Sequence, residues 1–269
     1  MSDASARPPV KLGVLISGEG TNLQAMIDAV ARGELRADIR VVIANKAGAG
    51  GLERARRHGI PAEVINHRMF PSREDFDRAL VAALRAREVE LVVCAGFMRL
   101  LSPVMLRAFP NRIMNIHPAL CPAFPGVDAQ RQALEYGVRF SGCTVFFVTE
   151  GVDDGPVIIQ AVVPVYPDDD EARLAARIHV EEHRIYPAAI RLYQEGRLAI
   201  QGRRVLIREF PASDALPALI NPAPDSNRLC VCGHDYDADH NVDDKCIKCN
   251  CVNPIIQGRE ARGRRPDTQ

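Results

Sequence analysis

From Lys11 onward the chain alternates short runs rich in Val and Ile with longer amphipathic stretches, and few architectures accept that rhythm. "KLGVLIS" (11–17), "IRVVIAN" (39–45), "AEVIN" (62–66), "ELVVCAG" (90–96) and "RIMNIH" (112–117) read as buried strands. Between them, "NLQAMIDAVARG", "GLERARRHG" and "SREDFDRALVAALRARE" read as helices. The last opens on Ser72 with Asp75 three residues on, a capped start. Strand–helix–strand alternation predicts an α/β fold, a Rossmann-like, mostly parallel sheet with helices on both faces. "GCTVFFVT" and "PVIIQAVVPV" then form two strands around "EGVDDG", read as an antiparallel addition. A long helix over roughly 170–196 and a hairpin around Gln201 and Gly202 complete a first domain, placed at 10–207.

Beyond it the composition changes. "FPASDALPALINPAPDSN" carries four prolines and reads as a linker over 208–227. A small cysteine-rich module follows at 228–252, then a solvated tail at 253–269. The whole chain is 47% apolar, enough for the main domain to bury a sizeable core. Basic and acidic residues balance at 34 each, so a nucleic-acid partner is not expected for that domain. No apolar run approaches the roughly 20 residues that span a bilayer, and "MSDASARPPVKLG" lacks the apolar stretch of a signal peptide. The expectation is a cytoplasmic protein that does not engage the membrane. Cys94, Cys121 and Cys143 are scattered and read as small buried hydrophobes of a reducing compartment, whereas five cysteines crowd into 230–251.

Three loops of the first domain carry chemistry. "SGEGTN" (17–22) joins the first strand to the first helix. Glycines there let backbone N–H groups approach an anion, and the helix start adds a favourable dipole. The G-x-G-x-x-G spacing is incomplete, since position 23 is Leu, so a phosphate fits better than a dinucleotide. A plain tight turn with a helix cap is the other reading. In "IMNIHPALCPAFPG" (113–126), Asn115 and His117 share one face of a strand because side chains alternate with period two. An amide donor beside an imidazole suits a developing oxyanion and a proton in transit; it equally suits a pair that merely ties down the loop. The third loop, "EGVDDGP" (150–156), offers Asp153 and Asp154 in a turn where acids are usually solvated. A carboxylate reaching His117 would hold its orientation.

Six ordered blocks, "LISGEGTNLQAMIDA", "NKAGAGGLERARRHGIP", "AGFMRLLSP", "NIHPALCPAFPG", "GCTVFFVTEGVDDGPVIIQ" and "EEHRIYP", together resemble the phosphoribosylglycinamide formyltransferases, folate-dependent enzymes of purine synthesis. The resemblance spans roughly 10–207. It implies a formyltransferase fold, 10-formyltetrahydrofolate as co-substrate and glycinamide ribonucleotide as the other small-molecule substrate. It implies Asn115, His117 and Asp153 as catalytic, and Gly20, Thr21 and Asn22 as the substrate-phosphate loop. Glu182 would contact the ribonucleotide, with Arg73, Met98, Arg99, Leu100 and Leu101 at the folate site. Two positions depart from the family pattern, Phe146 and Asp128, where the family commonly has histidine. Phe146 leaves room for a paralogue that formylates another small amine; a non-catalytic folate-binding protein is the third reading.

The C-terminal "CVCGHDYDADHNVDDKCIKCNC" pairs C-x-C-G-H with C-x-x-C-x-C, two thiolate-rich turns of the kind a tetrahedral zinc needs. Cys230, Cys232, Cys246 and Cys249 are the expected ligands, with Cys251, His234 and His240 as alternatives. A calcium loop competes through Asp235, Asp237, Asp239, Asn241 and Asp243. It fails at its sixth position, His240 where glycine is required, and at its twelfth, Cys246 where glutamate is required. Disulfides fit a reducing compartment poorly. No partner of this module is readable.

Overall fold

The computed structural model describes residues 7–208. The first five apolar runs are strands β1 (Val10–Ile16), β2 (Ala37–Ala44), β3 (Ala62–Val64), β4 (Leu91–Cys94) and β5 (Ile113–His117), all paired in parallel. Then β6 (Phe140–Phe147) runs antiparallel to β5, and β7 (Val157–Pro164) antiparallel to β6. The hairpin of β8 (Leu198–Gln201) and β9 (Arg204–Ile207) joins the edge, where β9 meets β7 at Val157↔Arg204. The sheet order is β3-β2-β1-β4-β5-β6-β7-β9-β8.

Strand alternation divides the core. Val14, Ile16, Leu91 and Val93 point to the face covered by α1 (Thr21–Ala31), α2 (Gly51–Arg57), α5 (Ala129–Tyr136) and α6 (Glu171–Gln194). Leu15, Val92 and Cys94 point the other way, under α3 (Arg73–Ala86) and α4 (Pro103–Ala108). Fully burying each large side chain contributes roughly 1.5–3 kcal/mol, so β1 from Leu12 to Ile16 and all of β4 carry only apolar side chains and glycine. The polar residues of β5 are confined to its last three positions.

Two helices had no sequence expectation. Helix α4 is too short for a period to show. It is fixed by Pro103 at its first position and by the carboxylate of Asp77 on α3, which accepts from the Ser102 N–H at 2.5 Å. Helix α5 sits between two left-handed residues, Asp128 (φ 57°) and Gly137 (φ 79°), so it reads locally as loop. The expected Ser72 cap is present, its hydroxyl accepting from the Asp75 N–H at 3.0 Å.

Strand β1 is flanked by β2 on one side and β4 on the other, so the chain order reverses there. The crevice beyond the carboxyl ends of β1 and β4 is where such sheets bind ligands. The loops after β1 and β4 are laced together across it. Ser17 N–H donates to Gly96 O at 3.0 Å, and Met98 N–H donates to Ser17 Oγ at 2.9 Å.

Candidate active site

One wall of the crevice is the start of α1. Gly20 has φ +73°, and a Cβ there would lie 2.7 Å from Gly51 Cα, so α1 and α2 begin at a glycine–glycine contact. No side chain caps α1, which leaves its first N–H groups and dipole available to an anion. Arg54 of α2 steadies the loop by donating from Nε to Glu19 O at 2.8 Å. Thr21, Gln24, Arg54 and His183 line a cleft of about 350 Å³ beside it. Burial holds the His183 imidazole below its ordinary pKa, with His179 adding to the effect.

Asn22 turns inward from this loop. Its Nδ2 donates at 2.9 Å to Glu182 Oε2, and both residues are buried. Two positions 160 residues apart in sequence therefore form one polar pair. Burial raises the Glu182 pKa; the Asn22 amide, His179 and His117 pull the other way. Helix α6 is registered on the sheet by Tyr186, one turn after Glu182. Its buried hydroxyl lies 2.9 Å from Cys94 O and 3.0 Å from Met114 O, bridging β4 and β5 with a single proton. Sequence reasoning passed over Tyr186 because a buried polar tip leaves no periodic mark.

Strand β5 supplies the opposite wall. Met114 and Ile116 belong to the α1/α6 face, so Asn115 and His117 point to the face of α3 and α4. His117 is 4% exposed. Its Nε2 lies 2.7 Å from Phe124 O; a carbonyl only accepts, so Nε2 carries a proton. Its Nδ1 lies 3.4 Å from Asp153 Oδ2, an approach that is attractive when Nδ1 carries a proton too. Asp153 sits in a turn at φ 49°, and its Oδ2 also accepts from the Gly126 N–H at 2.8 Å. One loop, 122–128, thus engages both members of the pair. Phe146 lies directly across the ladder from Asn115 and is 2% exposed. A Cβ on Gly155 would stand 3.1 Å from its ring, so the ring packs against the end of the Asp153 turn. Asp128 stands at the N-cap position of α5 without capping it, its carboxylate pairing with Arg131 instead.

The remaining predicted residues lie on α3 and on the loop after β4. Arg73 is the first residue of that helix, and the Arg99 guanidinium lies over the Phe76 ring at 5.6 Å from its centroid. Arg99 Nε is buried without a partner, Leu101 packs on the α3/α4 core, and Met98 and Leu100 project into solvent at 72% and 55% exposure. The thiols of Cys94 and Cys143 are pushed up to about 12, foremost by burial, so neither supplies a thiolate. Cys230, Cys232, Cys246, Cys249, Cys251, His234 and His240 lie outside the described residues, and with them the expected zinc. Among the described residues no His, Cys, Asp and Glu cluster could hold a metal, and no helix is long and apolar enough to cross a membrane.

Residues 10–190 match the formyl transferase family model. The phosphoribosylglycinamide formyltransferase of Escherichia coli is 47% identical over 185 residues, covering 69% of this chain and 87% of that protein. The trifunctional purine biosynthetic protein adenosine-3 of Drosophila pseudoobscura is 51% identical over 196 residues; the chain spans only 14% of its length. A solved structure, glycinamide ribonucleotide transformylase 1 of Symbiobacterium toebii, superposes with a TM-score of 0.73 at 58% identity, over 74% of this chain and 94% of that one. The chain belongs to the formyl transferase family, among the phosphoribosylglycinamide formyltransferases.

Proposed function

We propose that the chain transfers the formyl group of 10-formyltetrahydrofolate to the primary amine of glycinamide ribonucleotide, a step of purine synthesis. The observation that carries this reading is the convergence of Asn115, His117 and Asp153 with the Asn22–Glu182 pair at one end of the sheet. The substrate phosphate sits on Gly20, Thr21 and Asn22 at the uncapped start of α1, and Glu182 accepts from the ribonucleotide. The exposed faces of Met98 and Leu100 and the turn through Arg99 and Leu101 take the pterin, with Arg73 nearby for the folate's acidic end.

The amine attacks the formyl carbon, and the carbonyl oxygen becomes an oxyanion. Asn115 donates to it from its amide. His117 donates from Nε2 once that oxygen has replaced the Phe124 carbonyl, and Asp153 holds the ring and balances its charge. The amine's proton ends on the departing folate nitrogen as the tetrahedral intermediate collapses. The free thiols of Cys94, Cys121 and Cys143 suit a cytoplasmic setting and take no covalent part.

Purified protein supplied with 10-formyltetrahydrofolate and a panel of amines should formylate glycinamide ribonucleotide best. A protein inactive on that ribonucleotide but active on another amine overturns the reading. One observation favours such a paralogue: the aromatic Phe146 stands where a polar side chain could support Asn115 and Asp153. We further propose that residues 228–252 hold one structural zinc through Cys230, Cys232, Cys246 and Cys249, supported by their spacing alone. Protein purified without chelator should carry about one zinc per chain; metal-free, folded protein overturns this.

A further inference from the structure

The turn that presents Asp153 is held from an unexpected quarter. Asp153 adopts φ 49°, a left-handed conformation that costs a residue with a Cβ of order 1 kcal/mol or more. Something must therefore fix the turn from outside. On its inner side Thr149 Oγ1 donates to Asp154 Oδ1 at 2.6 Å, and Gly155 lies so close to the Phe147 carbonyl that a Cβ there would stand 1.7 Å from the oxygen. On its outer side the contact comes from Arg203, which shares the β8–β9 hairpin turn with Gly202. Arg203 Nη2 donates at 2.6 Å to Asp154 O, and Nη1 lies 4.0 Å from Asp154 Oδ2. The hairpin stands beyond residue 190, where the family model's match ends. It joins the sheet through the single registered pair Val157↔Arg204, next to Arg203 itself.

We propose that Arg203 is a positioning residue for the reaction: by gripping the Asp154 carbonyl it keeps the adjoining Asp153 carboxylate on His117. This rests on Asp153 acting as proposed above. The C-terminal hairpin, distant in sequence from the Asn-x-His strand, thereby belongs to the machinery. The guanidinium is 75% exposed, so its charge pairing with Asp154 counts for little. The hydrogen bond to the backbone carbonyl is what acts.

The test is a double-mutant cycle joined to hydrogen exchange. Arg203→Ala should lower kcat roughly five- to tenfold, the scale of one solvent-exposed hydrogen bond, with KM for both substrates little changed. Arg203→Lys should recover part of the loss. In an Asp153→Asn background the same Arg203→Ala change should be nearly silent, because the group it positions is already disabled. Equal losses in both backgrounds would mean a general structural role and overturn the proposal. Amide exchange gives a readout independent of turnover. Arg203→Ala should speed exchange in 150–155 and at Gly126, whose N–H is held by Asp153, while leaving α3 unchanged. Unchanged protection at Gly126 would also overturn it. If the native protein forms no formylated ribonucleotide, the functional reading fails and the exchange data still decide what Arg203 holds.

Discussion

Glu182→Gln should make the folded chain more stable and the enzyme worse. The native carboxylate is 4% exposed, accepts one side-chain hydrogen bond, from Asn22, and faces His179 only at 3.8 Å. Across from it, Asn22 Oδ1 is buried with no partner. A glutamine of the same shape keeps the bond from Asn22 Nδ2, sheds the buried charge and offers an N–H to that orphaned oxygen. Satisfying one buried acceptor contributes about 1 kcal/mol, or some 2–4 °C in Tm for a domain of this size. Burial raises the Glu182 pKa in the folded chain, so the stability linked to it is full below the ordinary value of 4.5. That stability is lost as pH rises through the raised folded value. The variant's advantage should therefore be greatest near pH 8 and close toward pH 4.5, a trend calorimetry at several pH values would read. KM for the ribonucleotide should rise about tenfold or more, since the ionised acceptor proposed for its hydroxyls is gone. A Tm below native at pH 8 would refute the reasoning, because it would mean the carboxylate is already well paired in the folded state.

His117→Ala and Asp153→Asn should each cut kcat on the order of 10²-fold or more while moving KM little, because in the proposed mechanism both act where charge develops. Near-native turnover in steady-state assays of either variant would remove that residue from the mechanism. Phe146→His places a buried polar group beside Asn115 and the Asp153 turn. We expect the preference for glycinamide ribonucleotide over other amines to persist, with at most a modest rise in turnover; a shift in preference would make Phe146 a specificity determinant.

Local chemistry made much of this fold legible. The five Val- and Ile-rich runs are the five parallel strands, because strands covered on both faces need little else from their sequence. Ser72 and Asp75 mark the start of α3 because a cap is a contact between neighbours. Helix α4 escaped because six residues show no period; its clue was Ser102 followed by Pro103. The site divides the same way. Asn115 and His117 announce themselves by sharing a face and ending a strand. The pairing of Asn22 with Glu182, the bridge made by Tyr186 and the grip of Arg203 on Asp154 join residues far apart in the chain, so spacing carries no trace of them. Arg203 in particular reads as an ordinary charged turn residue until the hairpin is set against β7.

The loop across the pair has a thermodynamic consequence. Phe124 O already accepts the hydrogen bond from His117 Nε2, and the Gly126 N–H already donates to Asp153. The protein is its own first ligand there. In the proposed reaction an incoming oxygen at His117 exchanges one hydrogen bond for another instead of adding one, so that side chain contributes little net enthalpy to association. On the proposed reading, affinity then resides mainly at the two ends of the crevice, in the phosphate at α1 with the Glu182 contact beside it and in the flat ring against Met98 and Leu100. A ribonucleotide stripped of its phosphate should release much less heat on titration, whereas a folate analogue lacking the formyl oxygen should bind only modestly more weakly than the intact donor. Division of labour of this kind leaves the hydrogen-bonding power of His117 in reserve for the moment when the oxygen becomes charged.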